Sequence, residues 1–482
     1  MTTTTPTTGA TSRMNAPASA TGRDVRRERR RPGRALTFLA AAIAVAAASY
    51  LLGPAGTPRP GAASGASAVP LPGDIGPIAD AGVDGAVGST PDDRLPLSDR
   101  LAFWSARVAD RPDDFLSIVQ LAVTEAESAR LTVDLGAYQR AAALIDRSLE
   151  LVPAYPPTIR ARGSIRFALH DFDGALADAR TVLAASPADA AALALQGDAA
   201  LELGDLATAA DTYRGLEELA PGPWLDVRLA RLASARGDHA RALALARRAS
   251  GAAGSSDPAE AGFYAFAVGE YARLAGETDA ARAGYAGALR ARATDLGALV
   301  GLARVDAAAG DTPAAIAGLR RAAAIAPQPD TLVLLGDLLA ATGDTAGASA
   351  QYETVRLIER LGEIGGSVYD RVLLRFELDH DGDSAAVLGA ARASVDRRPD
   401  SSGHDLVAWA LYRLGRYDNA ATSIAQARAA GADDARLRFH DGAIALARGD
   451  RSAGTALLRS ALALGPALDP IERAEAERLL GI

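Results

Sequence analysis

Hydrophobic and polar positions follow three regimes along the chain. Residues 35–52, ALTFLAAAIAVAAASYLL, contain neither a charge nor a proline. At the helical rise of about 1.5 Å per residue this run covers roughly 27 Å, close to the hydrocarbon thickness of a bilayer, so it predicts one transmembrane helix. Residues 1–34 are rich in Thr, Ala, Ser and Pro and then in Arg. Such a composition buries too little apolar surface to offset chain entropy and predicts a disordered basic segment. Residues 53–94, dominated by Gly, Pro, Ala and Ser without sustained periodicity, read as a flexible linker. Beyond residue 95 the chain is built from Ala, Leu, Arg, Asp and Glu with few runs of Val, Ile or Thr. That pattern predicts an all-α body.

The helices of this body are punctuated at a fixed interval. Gly204, Gly237, Gly276, Gly310, Gly343, Gly382, Gly415 and Gly449 are separated by 33, 39, 34, 33, 39, 33 and 34 residues. All but Gly415 are followed by an acidic residue. Glycine accepts the left-handed conformation that ends a helix, and a carboxylate just after it caps the next one, so each pair predicts a helix-turn-helix. The intervals of 39 place insertions around Gly251 to Pro258 and Leu361 to Gly366.

Within this period the side chains recur in phase. Small residues occupy one position in the first helix (Gly163, Gly197, Ala230, Gly269, Ala303, Gly336, Ala408, Gly442) and one in the second (Ala175, Ala209, Ala242, Ala281, Ala315, Ala348, Ala420). Tyr213, Tyr285, Leu319, Tyr352 and Leu458 fill a larger apolar position, and Pro153, Pro187 and Pro221 close units at intervals of 34. Arg375, Val387 and Gly454 depart from the pattern. The unit resembles the tetratricopeptide repeat, over about residues 97–470. The resemblance implies a right-handed α-solenoid of about ten helix-turn-helix units, placed at 95–470, with a concave groove lined by the first helices. Residues 471–482 read as a C-terminal capping helix covering the apolar side of the last unit.

Charge and composition narrow the partners. The net charge of −8 divides into +6 over residues 1–34, where eight Arg oppose Asp24 and Glu28, and −14 by difference over the rest. Basic residues ahead of the apolar run place the N-terminus in the cytoplasm and the repeats on the outer side of a single-pass anchor. The run exceeds the usual core of a signal peptide, which favours an anchor. A cleaved signal peptide, with a small-residue site at Gly61 to Ala68, stays open as the alternative, and so does a buried soluble helix. An acidic body without a basic stripe disfavours nucleic acid as a partner.

Chemistry is thinly represented. The chain has no Cys and five His, and every one of its 51 basic residues is Arg. No protease, hydrolase-elbow or phosphate-loop motif occurs, so no catalytic, cofactor or metal residue is assigned and the chain does not read as an enzyme. His170 and His239 fall in turns. Asp379-His380-Asp381-Gly382-Asp383 superficially suits Ca²⁺ but lacks a full loop with a downstream bidentate Glu, and it coincides with a repeat turn. Without Lys, and with Asn419 in a turn, the groove also lacks the clamp by which some tetratricopeptide domains hold chaperone tails.

Carrying the repeat phase onto groove-facing positions selects Phe263, Phe266, Tyr369, Phe376, Trp409, Tyr412 and Phe439, with Arg273, Arg304, Asp337, Asp405 and Arg413 on the same face. Aromatics supply contact area at low entropic cost, so these seven are the candidate protein-binding residues, with core packing between repeats as the competing role for each. The expectation is a membrane-tethered scaffold that binds protein or peptide partners in its groove. The alternative is a secreted or envelope binder of glycan or cell-wall material released by cleavage.

Overall fold

A computed structural model describes residues 95–132, 134–252, 258–365, 370–380 and 382–482. The segments expected to be disordered (1–34), membrane-spanning (35–52) and flexible (53–94) lie outside these residues, as does Tyr369. Among the described residues every regular element is helical, and no helix is long and apolar enough to cross a membrane.

Helix α1 (Leu97–Asp110) precedes ten helix pairs. Units one to three are α2 (Phe115–Thr132) with α3 (Leu135–Leu151), α4 (Pro156–Ala168) with α5 (Phe172–Ala185), and α6 (Ala190–Glu202) with α7 (Leu206–Leu219). Units four to six are α8 (Pro223–Ala235) with α9 (His239–Ala252), α10 (Pro258–Leu274) with α11 (Thr278–Ala291), and α12 (Leu296–Ala308) with α13 (Thr312–Ile325). Units seven and eight are α14 (Pro329–Ala341) with α15 (Thr345–Gly365), and α16 (Asp370–Asp379) with α17 (Ser384–Arg397). Units nine and ten are α18 (Ser401–Arg413) with α19 (Tyr417–Ala429), and α20 (Ala435–Ala447) with α21 (Arg451–Ala463). A 3-10 turn (Gly465–Ala467) and α22 (Pro470–Leu480) follow.

Most turns are built as their Gly-acid pairs require. Gly204, Gly237, Gly276, Gly310, Gly343, Gly415 and Gly449 all have positive φ, between 69° and 91°. The next residue's N–H reaches back five positions, as from Asp205 to the Ala200 carbonyl at 2.9 Å. Where that residue is Asp its carboxylate then accepts from the new helix, as Asp205 does from Thr208 N at 3.0 Å and Asp450 from Ala453 N at 3.0 Å, whereas Glu277 and Arg416 make no such cap. His170, at φ 63°, fills the glycine position of unit two. Unit eight differs from the expected phase. There Gly382 itself reaches back, to the Glu377 carbonyl, and Asp383 caps α17, so its turn holds one more residue than the others.

The small positions are close-approach points. A Cβ on Gly197, Gly269 or Gly336 would lie within 2.8 Å of the ring of Tyr213, Tyr285 or Tyr352 respectively. Ala175, Ala209, Ala242, Ala281, Ala315 and Ala420 have no exposed surface. Methyl-sized side chains let the paired helices meet, and a larger one would force them apart.

First helices of successive units touch one another, as α10 does α12 and α18 does α20, so they line the inner face of the array. The array also returns on itself. The turn glycines Gly204, Gly237 and Gly276 abut Asp400, Asp433 and Leu464, which lie in the junctions before units nine and ten and after unit ten. Helix α22 packs on α20 and α21 and also on α14, while the 3-10 turn touches α10 and α12. The C-terminal segment therefore crosses the inner face of units five to seven.

Candidate functional site

The inner face encloses a cavity of about 460 Å³ between α8, α10, α12, the start of α14 and the returning C-terminal residues. Its apolar wall includes Phe263 and Phe266, which α10 presents half-buried, together with Val227, Leu296 and Val300. Its polar wall carries Arg231, Glu270, Arg273, Arg304, Arg436 and Asp469. The charges occur in pairs: Arg231 with Glu202, Arg273 with Glu270, and Arg304 and Arg436 with Asp469.

Burial and neighbours set the ionisation of this wall. Burial works to raise the Glu270 carboxyl, but the Arg273 guanidinium and the Tyr285 hydroxyl outweigh it and hold it below the usual range. Arg304 is shifted down, by burial first and then by the positive charges of Arg273 and Arg436. Asp330 and Glu270 act against this lowering, and Asp469 lies against both the Arg304 and Arg436 guanidinium groups.

The six described aromatics of those selected by repeat phase are not one surface. Phe263 and Phe266 line the cavity. Phe376, Trp409 and Phe439 are only 1 %, 4 % and 1 % exposed and pack between repeats, with Phe376 also at the edge of a neighbouring cavity of about 250 Å³. The Trp409 indole N–H donates to Asp379 at 2.9 Å, and its ring stacks on Tyr412 and on His440 at centroid distances of 4.7 and 4.1 Å. Tyr412 is half-buried at the edge of that stack. The charged neighbours divide similarly: Arg273 and Arg304 face the cavity, whereas Asp405 meets His440 Nδ1 at 2.6 Å and Asp337 meets His380 Nε2 at 2.8 Å. Arg413 is exposed.

The acidic run near residue 380 does not converge on a common point. Asp379 is turned to Trp409, His380 to Asp337, and Asp383 caps α17, while Asp381 lies outside the described residues. Among the described residues no group of three or more His, Asp or Glu side chains is placed to hold a metal ion.

A feature missed in the sequence is a polar ladder along the inner face. Tyr213, Tyr285 and Tyr352 donate to Asp198, Glu270 and Asp337 at 2.7, 2.7 and 2.8 Å, each fifteen positions upstream. The signal was present as Gly-acid dipeptides at 197–198, 269–270 and 336–337, each followed by Tyr at the same distance. Asp198 also accepts from Arg228, a guanidinium with almost no exposed surface.

These positions decide the repeat type. The described chain is an array of tetratricopeptide-type helix pairs. No family profile matches the chain, and no curated protein is significantly similar to it. Among solved structures it is similar to a human IFIT1 dimer with PPP-AAAA, at 17% identity and a TM-score of 0.43 over 70% of this chain and 79% of that one. It is similar to PilW, a type IV pilus biogenesis factor, at 17% identity and a TM-score of 0.37, covering 44% of this chain and 96% of that one. A tetratricopeptide repeat protein from Parabacteroides merdae gives 15% identity and a TM-score of 0.31 over 53% and 98%. The assignment of repeat type rests on the helix pairs themselves.

Proposed function

We propose that the protein is a membrane-tethered interaction scaffold whose inner face binds a segment of a partner polypeptide, with residues 35–52 as the anchor and the repeats on the outer side. The observation that carries this reading is the cavity wall of Phe263 and Phe266, half-buried and flanked by paired charges. Such a wall offers apolar area to a side chain and fixed polar groups to a backbone, the usual division of labour in peptide recognition. A tether adds local concentration without adding contacts. Eighteen uncharged residues after a basic run support the anchor.

The test places a photo-crosslinking residue at Phe266 and, as a control, at Leu219, which is exposed at the end of α7. Polypeptide adducts from native membranes at the first position and not at the second are expected; equal yields at both would refute the inner-face assignment. The anchor is checked by intact mass: a chain retaining residues 35–52 and resisting alkaline extraction supports it, and a soluble chain beginning near residue 60 refutes it.

A further inference from the structure

The C-terminal segment is held to two parts of the molecule by two different kinds of force. Toward its own end it is anchored by apolar packing: Leu468 and Ala476 are buried in one cluster with Leu437, Phe439 and Leu458 of unit ten, and Ala467, Leu479 and Leu480 pack against that cluster. Toward units five to seven the identified links are polar. Arg273 donates to the Pro466 carbonyl at 3.3 Å and Arg304 pairs with Asp469, while Arg436 of unit ten holds Asp469, at 2.9 Å, and Glu472 from the other side. Among the described residues, no apolar cluster joins units three to seven to units nine, ten or the C-terminal segment.

This division decides how the segment can move. Leaving unit ten would expose a core, whereas leaving units five to seven breaks one ion pair, with side-chain exposures of 19 % and 22 % for Arg304 and Asp469, and one hydrogen bond, from Arg273. In a pair this far buried, desolvation offsets much of the Coulombic gain, so its net contribution is small beside that of an apolar core. Release would also uncover the cavity, since Ala467 and Asp469 form part of its lining.

We propose that residues Gly465–Glu472 are an autoinhibitory strap: they cover the partner-binding inner face of units five to seven through an ionic latch centred on Arg304 and Asp469, and a partner gains the face by displacing them. This rests on the inner face being the binding surface. In the latched state the strap takes the place of a ligand. When the latch opens, the strap stays docked on unit ten and the cavity mouth widens.

The full-length chain is tested in detergent by hydrogen exchange and by binding of a labelled synthetic peptide copying residues 462–482. In the Asp469→Asn variant, amides of 465–470 and of the α10 and α12 inner faces are expected to exchange at least tenfold faster, with α2 to α5 unchanged. The peptide in trans is expected to bind this variant at least tenfold tighter than the wild type. Arg304→Gln, which leaves the C-terminal helix and its cap intact, is expected to give the same local exchange change and keeps the test valid if the Asp469 variant folds poorly. Exchange in 465–470 that stays as slow as the core in Arg304→Gln, or equal peptide binding by variant and wild type, would overturn the strap. The strap and the scaffold reading fail separately. If the strap opens but crosslinking at Phe266 does not rise, autoinhibition is wrong. If the peptide binds the variant but no polypeptide adduct forms at Phe266 in either chain, the strap stands and the partner reading falls.

Discussion

The hydroxyl of Tyr213 donates to the carboxylate of Asp198 at 2.7 Å, and the ring of the same tyrosine fills the space that Gly197 leaves by having no side chain. One residue thus reads two consecutive positions of the preceding helix, the first by shape and the second by charge. The pattern recurs at Tyr285 with Gly269 and Glu270, and at Tyr352 with Gly336 and Asp337.

Shape and charge separate by mutation. Tyr213→Phe keeps the ring and loses the hydrogen bond, and is expected to destabilise the protein by about 1–2 kcal/mol. Gly197→Val drives a side chain into the ring and is expected to cost at least ~3 kcal/mol, at or beyond the upper end of overpacking effects. Urea unfolding of the two variants gives the order directly.

Arg228 and Asp198 are both almost fully buried, with a 3.0 Å contact between them. Arg228→Met leaves the carboxylate only the more distant Arg231, at 3.7 Å, as counter-charge, and a loss toward the lower end of roughly 3–5 kcal/mol is expected. Adding Asp198→Asn removes the stranded charge and is expected to recover part of that loss. A double-mutant cycle in denaturant measures the coupling.

His380 supplies a pH signature. Burial acts to lower its pKa, but the hydrogen bond and charge of Asp337 prevail and raise it above the ordinary value. A raised folded-state pKa means the protonated pair stabilises the fold. That contribution is complete below the unfolded value of about 6.5 and disappears as pH climbs through the higher folded value. Melting temperature is therefore expected to fall across this window in the wild type, and to fall less in His380→Gln. Parallel melting curves from pH ~5.5 to ~8.5 check the difference.

The aromatics divide into two classes of variant. Phe263→Ser and Phe266→Ser alter half-buried cavity walls and are expected to lower the Phe266-region crosslinking yield, read from a neighbouring position such as Val300, with less loss of stability than core replacements. Trp409→Ala and Phe439→Ala remove packing from the interior and are expected to cost about 3–5 kcal/mol. Circular dichroism with denaturant distinguishes the classes before any binding is measured.

Much of the fold was legible because each repeat imposes the same local demands. A turn needs a residue tolerant of positive φ, two helices need small side chains where they meet, and both demands mark the sequence at a fixed interval. Unit eight escaped this reading by one residue, since Gly382 imitates a turn glycine while the five-residue return bond starts from Gly382 itself. The candidate site was legible only by face. Phase places Trp409 and Phe263 on equivalent sides of their helices but says nothing of what the next unit lays over them. His440 and Tyr412 cover Trp409, while Phe263 and Phe266 are left beside open space. The return of the C-terminus was not legible, because it depends on rotation summed over six units and on two insertions, and no local motif records that sum.

The contacts of Gly204 with Asp400 and of Gly237 with Asp433 change the mechanical character of the array. A helical-repeat array whose units touch only their neighbours behaves as a spring, and it melts one segment at a time. Fastening successive coils to one another removes the spring's freedom to stretch and couples the melting of units three to five to that of nine and ten. Pulled at its ends, such a body resists as a closed coil until the fastening yields, and only then extends.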